Sequence, residues 1–399
     1  MSRFLFVVPP LIGHVNPARC VADQLQAGGH QVAWVGSLAT LRPMLGPDPV
    51  IYRTGSRIHR AQADQGLASI RSLWQEFIVP YTKFILPSVN KAIADFGPDV
   101  LVCDQHTPAG ALLAHRYGLP WATLACSTIE LLRPYRQLPQ VERWIDGQLE
   151  QLRALAGVVE PIDPLFSPDL VLSFTSGEFT GPLQVPAGPV RQVGPCFADR
   201  SDDPDFDWSA LAPDRALVLV TVGTLATELA EDFYARAMAA LAPLADRVQA
   251  IVLAPPGSIP EPPPNVLLAA RVPMRRLLPR LAAVLCHGGL NTVCESLAFG
   301  VPLVVAPIRH DQPLNAGLVT AAGAGRRVHF SRAQPAELRA ALLSVLDDPS
   351  YRQAAARLAD SFTAAGGAPA AAHHLQRLAT AMSPPSRSDH AQLTGQHHV

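Results

Sequence analysis

Short apolar runs alternate with amphipathic helical segments along most of this chain, and that rhythm limits its fold more than any other feature. Strands buried on both faces read as continuous apolar runs, and parallel strands need crossover helices between them. In the first half, strands are expected at residues 3–9, 31–36, 100–103, 121–125 and 170–174, with helical patterns such as 18–27 and 107–117 between them. A second series is expected at 216–222, 248–254, 266–270, 283–286, 301–306 and 327–330, followed by helical patterns at 335–346 and 351–365. Between the two series, ADRSDDPDFDWSALAPDR (198–215) is rich in Asp and Pro and has no strand pattern. The expectation is an α/β protein of two doubly wound, Rossmann-like domains facing across a cleft. Their spans are 1–197 and 216–382, with 198–215 as linker and a polar, disordered tail at 383–399. In such sheets ligands bind beyond the carboxyl ends of the strands. Neither half carries GxGxxG after its first strand, which counts against a nicotinamide dehydrogenase.

Composition narrows the class. The 399 residues are 48% hydrophobic with a formal net charge of -1, as expected of a soluble globular protein and without the basic excess that nucleic-acid binding needs. The six cysteines form no CxxC and several sit in apolar runs, the pattern of buried free thiols in a reducing compartment. The first apolar run is short, ends at Pro9-Pro10 and lacks a cleavage pattern, so a cytoplasmic protein without membrane insertion is expected.

The richest stretch is AAVLCHGGLNTVCESLAFGVPLVVAPIRHDQPLNA, residues 282–316. A strand ends at Cys286, His287-Gly288-Gly289 makes a turn, and a helix is expected from Leu290 to Phe299. Glycines let backbone approach a ligand closely, and helix N-termini attract phosphate. His287 can add a hydrogen bond. Asn291 and Glu295 are spaced i,i+4 and share a helix face, where a carboxylate suits a ribose diol. Asp311 and Gln312 suit neighbouring sugar hydroxyls, since a carboxylate accepts while an amide donates and accepts. A Gly-Gly turn is common in structural roles, and Asp311-Gln312 before Pro313 can simply cap a helix. The ordered combination is more specific than its parts.

That combination resembles the donor-binding region of the family 1 nucleotide-sugar glycosyltransferases, of the inverting GT-B type. Arg271-Val272-Pro273-Met274 with Leu277-Leu278-Pro279 is similar to the family's WxPQ…LL base-contacting element, and Val222-Gly223-Thr224 to its phosphate-contacting loop. The resemblance spans about residues 1–380 and is weak from 53 to 160. It implies that Gly223, Thr224, His287, Gly288 and Gly289 hold the diphosphate, with Asn291 and Thr292 nearby. It also implies that Glu295 binds the ribose, Asp311 and Gln312 the transferred sugar, and the Val272 backbone the base edge. Arg271 replaces the usual Trp and can stack on a base, and Met274 replaces the usual Gln. The VPM…LLP form is similar to enzymes using thymidine-diphospho sugars, so UDP and TDP donors both stay open.

Inverting transfer needs a base to activate the acceptor hydroxyl, and an oriented imidazole is suited to this. Family 1 enzymes carry a His in the GHxxP turn, here His14, and an Asp at a strand end, here Asp104. The resemblance therefore implies His14 as base with Asp104 as its partner. Each residue alone also has a structural reading, as a turn His and a helix cap, and His106 is a competing neighbour. No metal motif of the DxD type stands near the donor region, and Asp202, Asp203 and Asp205 read as solvated linker charges. No cofactor or obligatory metal is expected; the nucleotide sugar is a co-substrate.

The acceptor is expected on the first domain, where Gly13 leaves the turn bare. Leu73, Trp74, Phe77, Ile78 and Tyr81 are spaced as one wide helix face, which reads either as core or as an apolar acceptor cleft with Trp74 and Phe77 in contact. The leading function is transfer of a hexose or deoxyhexose to a hydroxyl of a polyketide- or macrolide-type secondary metabolite, as in antibiotic biosynthesis. The alternatives are a carotenoid or glycolipid glycosyltransferase, a nucleotide-sugar epimerase of GT-B architecture, and a non-catalytic nucleotide-sugar binding protein.

Overall fold

The computed structural model describes residues 1–55, 66–185, 188–197, 204–223, 230–255 and 257–381. Its apolar runs become two wholly parallel sheets. The first holds β1 (Arg3–Val7), β2 (Gln31–Ser37), β3 (Val50–Thr54), β4 (Val100–Asp104), β5 (Trp121–Ala125), β6 (Leu170–Ser173) and β7 (Val190–Gln192), in the order β3-β2-β1-β4-β5-β6-β7. The second holds β8 (Ala216–Thr221), β9 (Val248–Leu253), β10 (Val266–Ala269), β11 (Ala283–Cys286), β12 (Leu303–Val305) and β13 (Gly325–Arg327), in the order β10-β9-β8-β11-β12-β13. Central strands such as β4 and β11 are buried along their whole length, which is why their sequences are unbroken apolar runs.

In both sheets the strand order reverses beside the first strand. The reversal falls between β1 and β4 in one and between β8 and β11 in the other, and each such point opens a crevice beyond the carboxyl ends. Thr107 ties the first crevice together: its hydroxyl is 2.9 Å from both the Val7 and the Asp104 carbonyl oxygens. The chain ends of β1 and β4 are thereby held side by side.

Several elements differ from the sequence expectation. β3 and β7 were not foreseen; VIYRT and VRQ are edge strands with partly exposed faces and carry little apolar signal. The last strand is Gly325–Arg327 rather than 327–330, and Val328 and Phe330 pack into the second core instead. A Cβ at Gly325 would lie 2.1 Å from the Leu303 carbonyl oxygen, so only glycine lets β13 pair with β12 here. The first helix starts at Ile12 rather than at residue 18, which puts Gly13 and His14 inside its first turn. The expected helix face around 72–87 lies in a longer helical run, Gly66–Ser72 and Val79–Phe96 joined by a π-helical stretch, Leu73–Ile78.

The chain returns to its start. Helix Gly367–Ala381 falls within the span expected for the second domain, yet it packs on helix Ile12–Ala27. Its Ala371, Ala372, Leu375 and Ala379 share a core with Phe4, Phe6, Val21 and Leu25. Small alanine side chains let the two helices approach closely. All six cysteines are buried and unpaired by disulfides. No described helix is long and apolar enough to cross a membrane.

Candidate active site

At the first crevice, His14 projects from the first turn of its helix towards Asp104, the last residue of β4. His14 Nδ1 lies 2.8 Å from Asp104 Oδ2, although the two residues are 90 positions apart. The other carboxylate oxygen accepts from the His106 backbone N–H at 2.8 Å. Burial works to raise the Asp104 pKa, but the His14 charge and hydrogen bond, followed by His106, outweigh it and lower the pKa. The carboxylate therefore stays ionised and fixes the imidazole through Nδ1, which leaves Nε2 as the nitrogen that can take a proton. The His14 side chain is 13% exposed, enough to face the cleft.

His106 is a different case. Its ring centroid is 4.8 Å from that of His14, but the residue is only 4% exposed. Its Nε2 sits 3.4 Å from Glu130 Oε1, at ion-pair distance but without hydrogen-bond alignment. Burial acts to lower its pKa, and the carboxylates of Glu130, Asp104 and Asp311 together raise it. His14, Asp104 and His106 hold their ligand atoms within 4.8 Å of one another, the one metal-like cluster among the described residues. In this arrangement His14 Nδ1 and Asp104 Oδ2 face each other as hydrogen-bond partners rather than sharing a third atom.

At the second crevice, side chains are missing where they would obstruct. Gly223 has φ +75, and a Cβ there would lie 2.6 Å from His287 Cε1. Gly288 has φ +87, and its Cβ would meet Val305 Cγ1 at 2.8 Å; a Cβ at Gly289 would meet His287 Nε2 at 2.6 Å. The His287 ring is thus held between two glycines. Burial lowers its pKa to about 4, against a weaker opposing contribution from the Thr221 backbone, so at neutral pH it is an uncharged imidazole with one N–H to donate. Gly289 caps helix Leu290–Ala298 without a side-chain hydrogen bond, which leaves the helix N-terminus bare. Thr224 lies outside the described residues.

The remaining donor candidates divide. Thr292 and Glu295 are half-buried on that helix. Asn291 instead gives its Nδ2 to the Gly13 carbonyl oxygen at 2.8 Å, across the cleft. Gly13 is itself exposed. Arg271 is exposed, whereas the Val272 side chain is buried with Leu277 and Leu278. Asp311 is half-buried at the start of helix Gln312–Ala321, with its pKa raised to about 6. Burial is the main cause and the Glu130 charge adds to it, while the Asn315 hydrogen bond, His14 and His106 oppose. Gln312 was expected to grip a sugar through its whole amide, but its Oε1 accepts from the Ile308 and Arg309 N–H groups at 2.9 and 3.0 Å. Only its NH₂ side is left for a hydroxyl.

On the acceptor side, Phe77 is a core residue, 1% exposed and stacked on Tyr81 at 5.4 Å. Trp74 is also buried, but it lines a small cavity of about 70 Å³ with Ile129, Glu130, Tyr135, Leu149 and Phe166. The expected helix face splits because the π-helical turn alters its register. Sequence reasoning missed Glu130, Thr128 and Asn315. Asn315 stands i+4 from Asp311, a spacing that could have flagged it.

Residues 221–378 match the family described as erythromycin biosynthesis protein CIII-like, C-terminal domain. The chain is 29% identical to 4'-demethylrebeccamycin synthase of Lentzea aerocolonigenes, with 91% of this chain and 96% of the relative covered. Among solved structures it resembles the glycosyltransferase of kitacinnamycin (TM-score 0.77, 24% identity, 94% and 99% covered). It also resembles a spinosyn rhamnosyltransferase complexed with thymidine diphosphate (TM-score 0.76, 21% identity, 94% and 100% covered). Fold and matches define a glycosyltransferase of the GT-B class. Along nearly its whole length the chain is similar to glycosyltransferases of natural-product biosynthesis.

Proposed function

We propose that this enzyme transfers a hexose or deoxyhexose from a UDP- or TDP-sugar, with inversion, to a hydroxyl of a lipophilic small molecule of the secondary-metabolite type. The observation that carries the reading is the His14–Asp104 pair, 2.8 Å apart, set across the cleft from the glycine-bounded His287 turn. His14 Nε2 takes the acceptor proton as the acceptor oxygen attacks the anomeric carbon from the face opposite the diphosphate. The anomeric C–O bond breaks, and its electrons leave with the nucleoside diphosphate. Asp104 stabilises the imidazolium that forms. The helix N-terminus at Leu290 and the neutral His287 N–H receive the charge developing on the diphosphate, without an obligatory metal. Asp311 and the Gln312 NH₂ hold the sugar.

The chemistry of the relatives supports the acceptor class: one is named for rebeccamycin, another is a demethyllactenocin mycarosyltransferase of Streptomyces fradiae. The thymidine-diphosphate complex of a structural neighbour supports a TDP donor, and Arg271 in place of an aromatic residue leaves UDP open. The test is a panel of UDP- and TDP-sugars against pooled hydrophobic metabolites, read by mass. The expected result is a hexose or deoxyhexose mass gain that survives EDTA. An epimerised donor formed without any acceptor would overturn the reading.

A further inference from the structure

We propose that Asn315 is a positioning residue that couples the donor's phosphate turn to the wall of the Trp74 cavity in the opposite half, so that donor binding orders that wall. The inference rests on the donor-site reading above. Asn315 is fully buried, and its amide is used in three directions. Nδ2 donates to the Gly288 carbonyl oxygen at 2.9 Å and to Asp311 Oδ2 at 3.1 Å. Oδ1 accepts from Thr128 Oγ1 at 2.7 Å, a bond between residues 187 positions apart that joins the two halves. One side chain therefore touches the turn for the diphosphate, the carboxylate for the sugar, and the opposite half of the enzyme.

The Thr128 end leads directly to the cavity. Thr128 opens the short helix Thr128–Leu132, whose next two residues, Ile129 and Glu130, form part of the cavity wall. That helix is fixed to the catalytic strand end as well: Gln105, which follows Asp104, donates to Glu130 Oε2 and accepts from the Ser127 N–H. The Thr128–Asn315 bond exists only when the halves are together, and anything that fixes Gly288 and Asp311 fixes the amide that makes it. A buried hydrogen bond of this kind is costly to leave half-made, which gives the coupling its energy.

Amide hydrogen exchange on the full-length protein tests this without an identified acceptor, using thymidine diphosphate and uridine diphosphate as probes. In the wild type, the better-binding nucleotide is expected to slow exchange at 286–292 and, by about fivefold or more, at 127–133 in the other half. Thr128→Val is expected to keep the protection at 286–292 and lose that at 127–133, while Thr128→Ser, which keeps the hydroxyl, retains both. A change in global stability alone would lower protection throughout rather than in one segment. Undiminished protection of 127–133 in Thr128→Val, or none there in the wild type while 286–292 is protected, overturns the coupling and leaves the donor site standing. If neither nucleotide protects 286–292, the donor-site reading falls and the coupling with it.

Discussion

The two crevices share a topology and are furnished in opposite ways. Each lies where strand order reverses, between β1 and β4 or between β8 and β11, and each presents a histidine near a glycine. In the first, His14 is gripped by an ionised, buried carboxylate. In the second, no carboxylate among the described residues grips His287; burial holds it neutral, and three neighbouring positions have no room for a Cβ. The fold supplies a crevice and the residues supply its chemistry. One histidine is paired with a carboxylate, as the proposed base requires, and the other carries no charge at neutral pH.

The comparison breaks most visibly at His14. His14→Ala is expected to lower kcat by about 10²–10⁴-fold, the usual range for a lost general base, with nucleotide affinity within about twofold. Near-wild-type transfer with intact nucleotide binding would remove His14 from the mechanism. Asp104→Asn keeps the shape but not the charge. Its kcat should fall by about 100-fold as the imidazolium formed during transfer loses its stabilising carboxylate.

The second crevice answers to volume rather than charge. Gly223→Ala forces a left-handed backbone on alanine and drives its methyl into the His287 ring, a strain of about 1–3 kcal/mol. Nucleotide affinity by calorimetry should fall by about ten- to a hundredfold, while the His14–Asp104 pair is untouched. Gly289→Ala meets the same ring, but its φ is -60, so the loss should be smaller. Equal losses would show that the ring contact, not the backbone, sets the requirement.

How much of this was legible follows from the kind of signal each residue leaves. The central strands were readable because burial on both faces makes them apolar throughout, as in FLFVV and AVLC. β3 and β7 were not, since edge strands with half-exposed faces need no such pattern. His14 and Asp104 could be paired because one follows a strand and the other ends one, and both strand ends must open on the same side. Gln312 was misjudged in detail: its residue type is right for a sugar, but nothing in DQPLNA reveals that Oε1 holds the loop before it. Asn315 stood in the same quoted motif without a role, because its partner Thr128 lies in the region of weakest resemblance. Phe77 and Trp74 share a helix face in sequence, and only the π-helical turn separates the core residue from the cavity residue.

The smallest expected effect concerns Asp311, where the two crevices meet electrostatically. Its pKa is raised from 3.8 to about 6, first by burial, with Glu130 adding and Asn315, His14 and His106 opposing. The sign follows from proton binding. With the folded pKa above the unfolded value, the free enzyme holds this proton more tightly than the unfolded chain does. The stability this contributes is fully present below about pH 4 and is lost as pH rises through about 6. Sugar binding runs the other way, because a carboxylate must be ionised to accept from hydroxyls. Between pH 7 and pH 5 the ionised fraction falls about tenfold, which bounds the loss in affinity. Comparing UDP-glucose or a TDP-sugar with the bare nucleotide at each pH isolates the sugar's share and leaves His14 out of the measurement. The difference between the two affinities should shrink below pH 6 and become pH-independent in Asp311→Asn. A difference that stays constant from pH 7 to 5 in the wild type would mean that Asp311 does not hold the sugar.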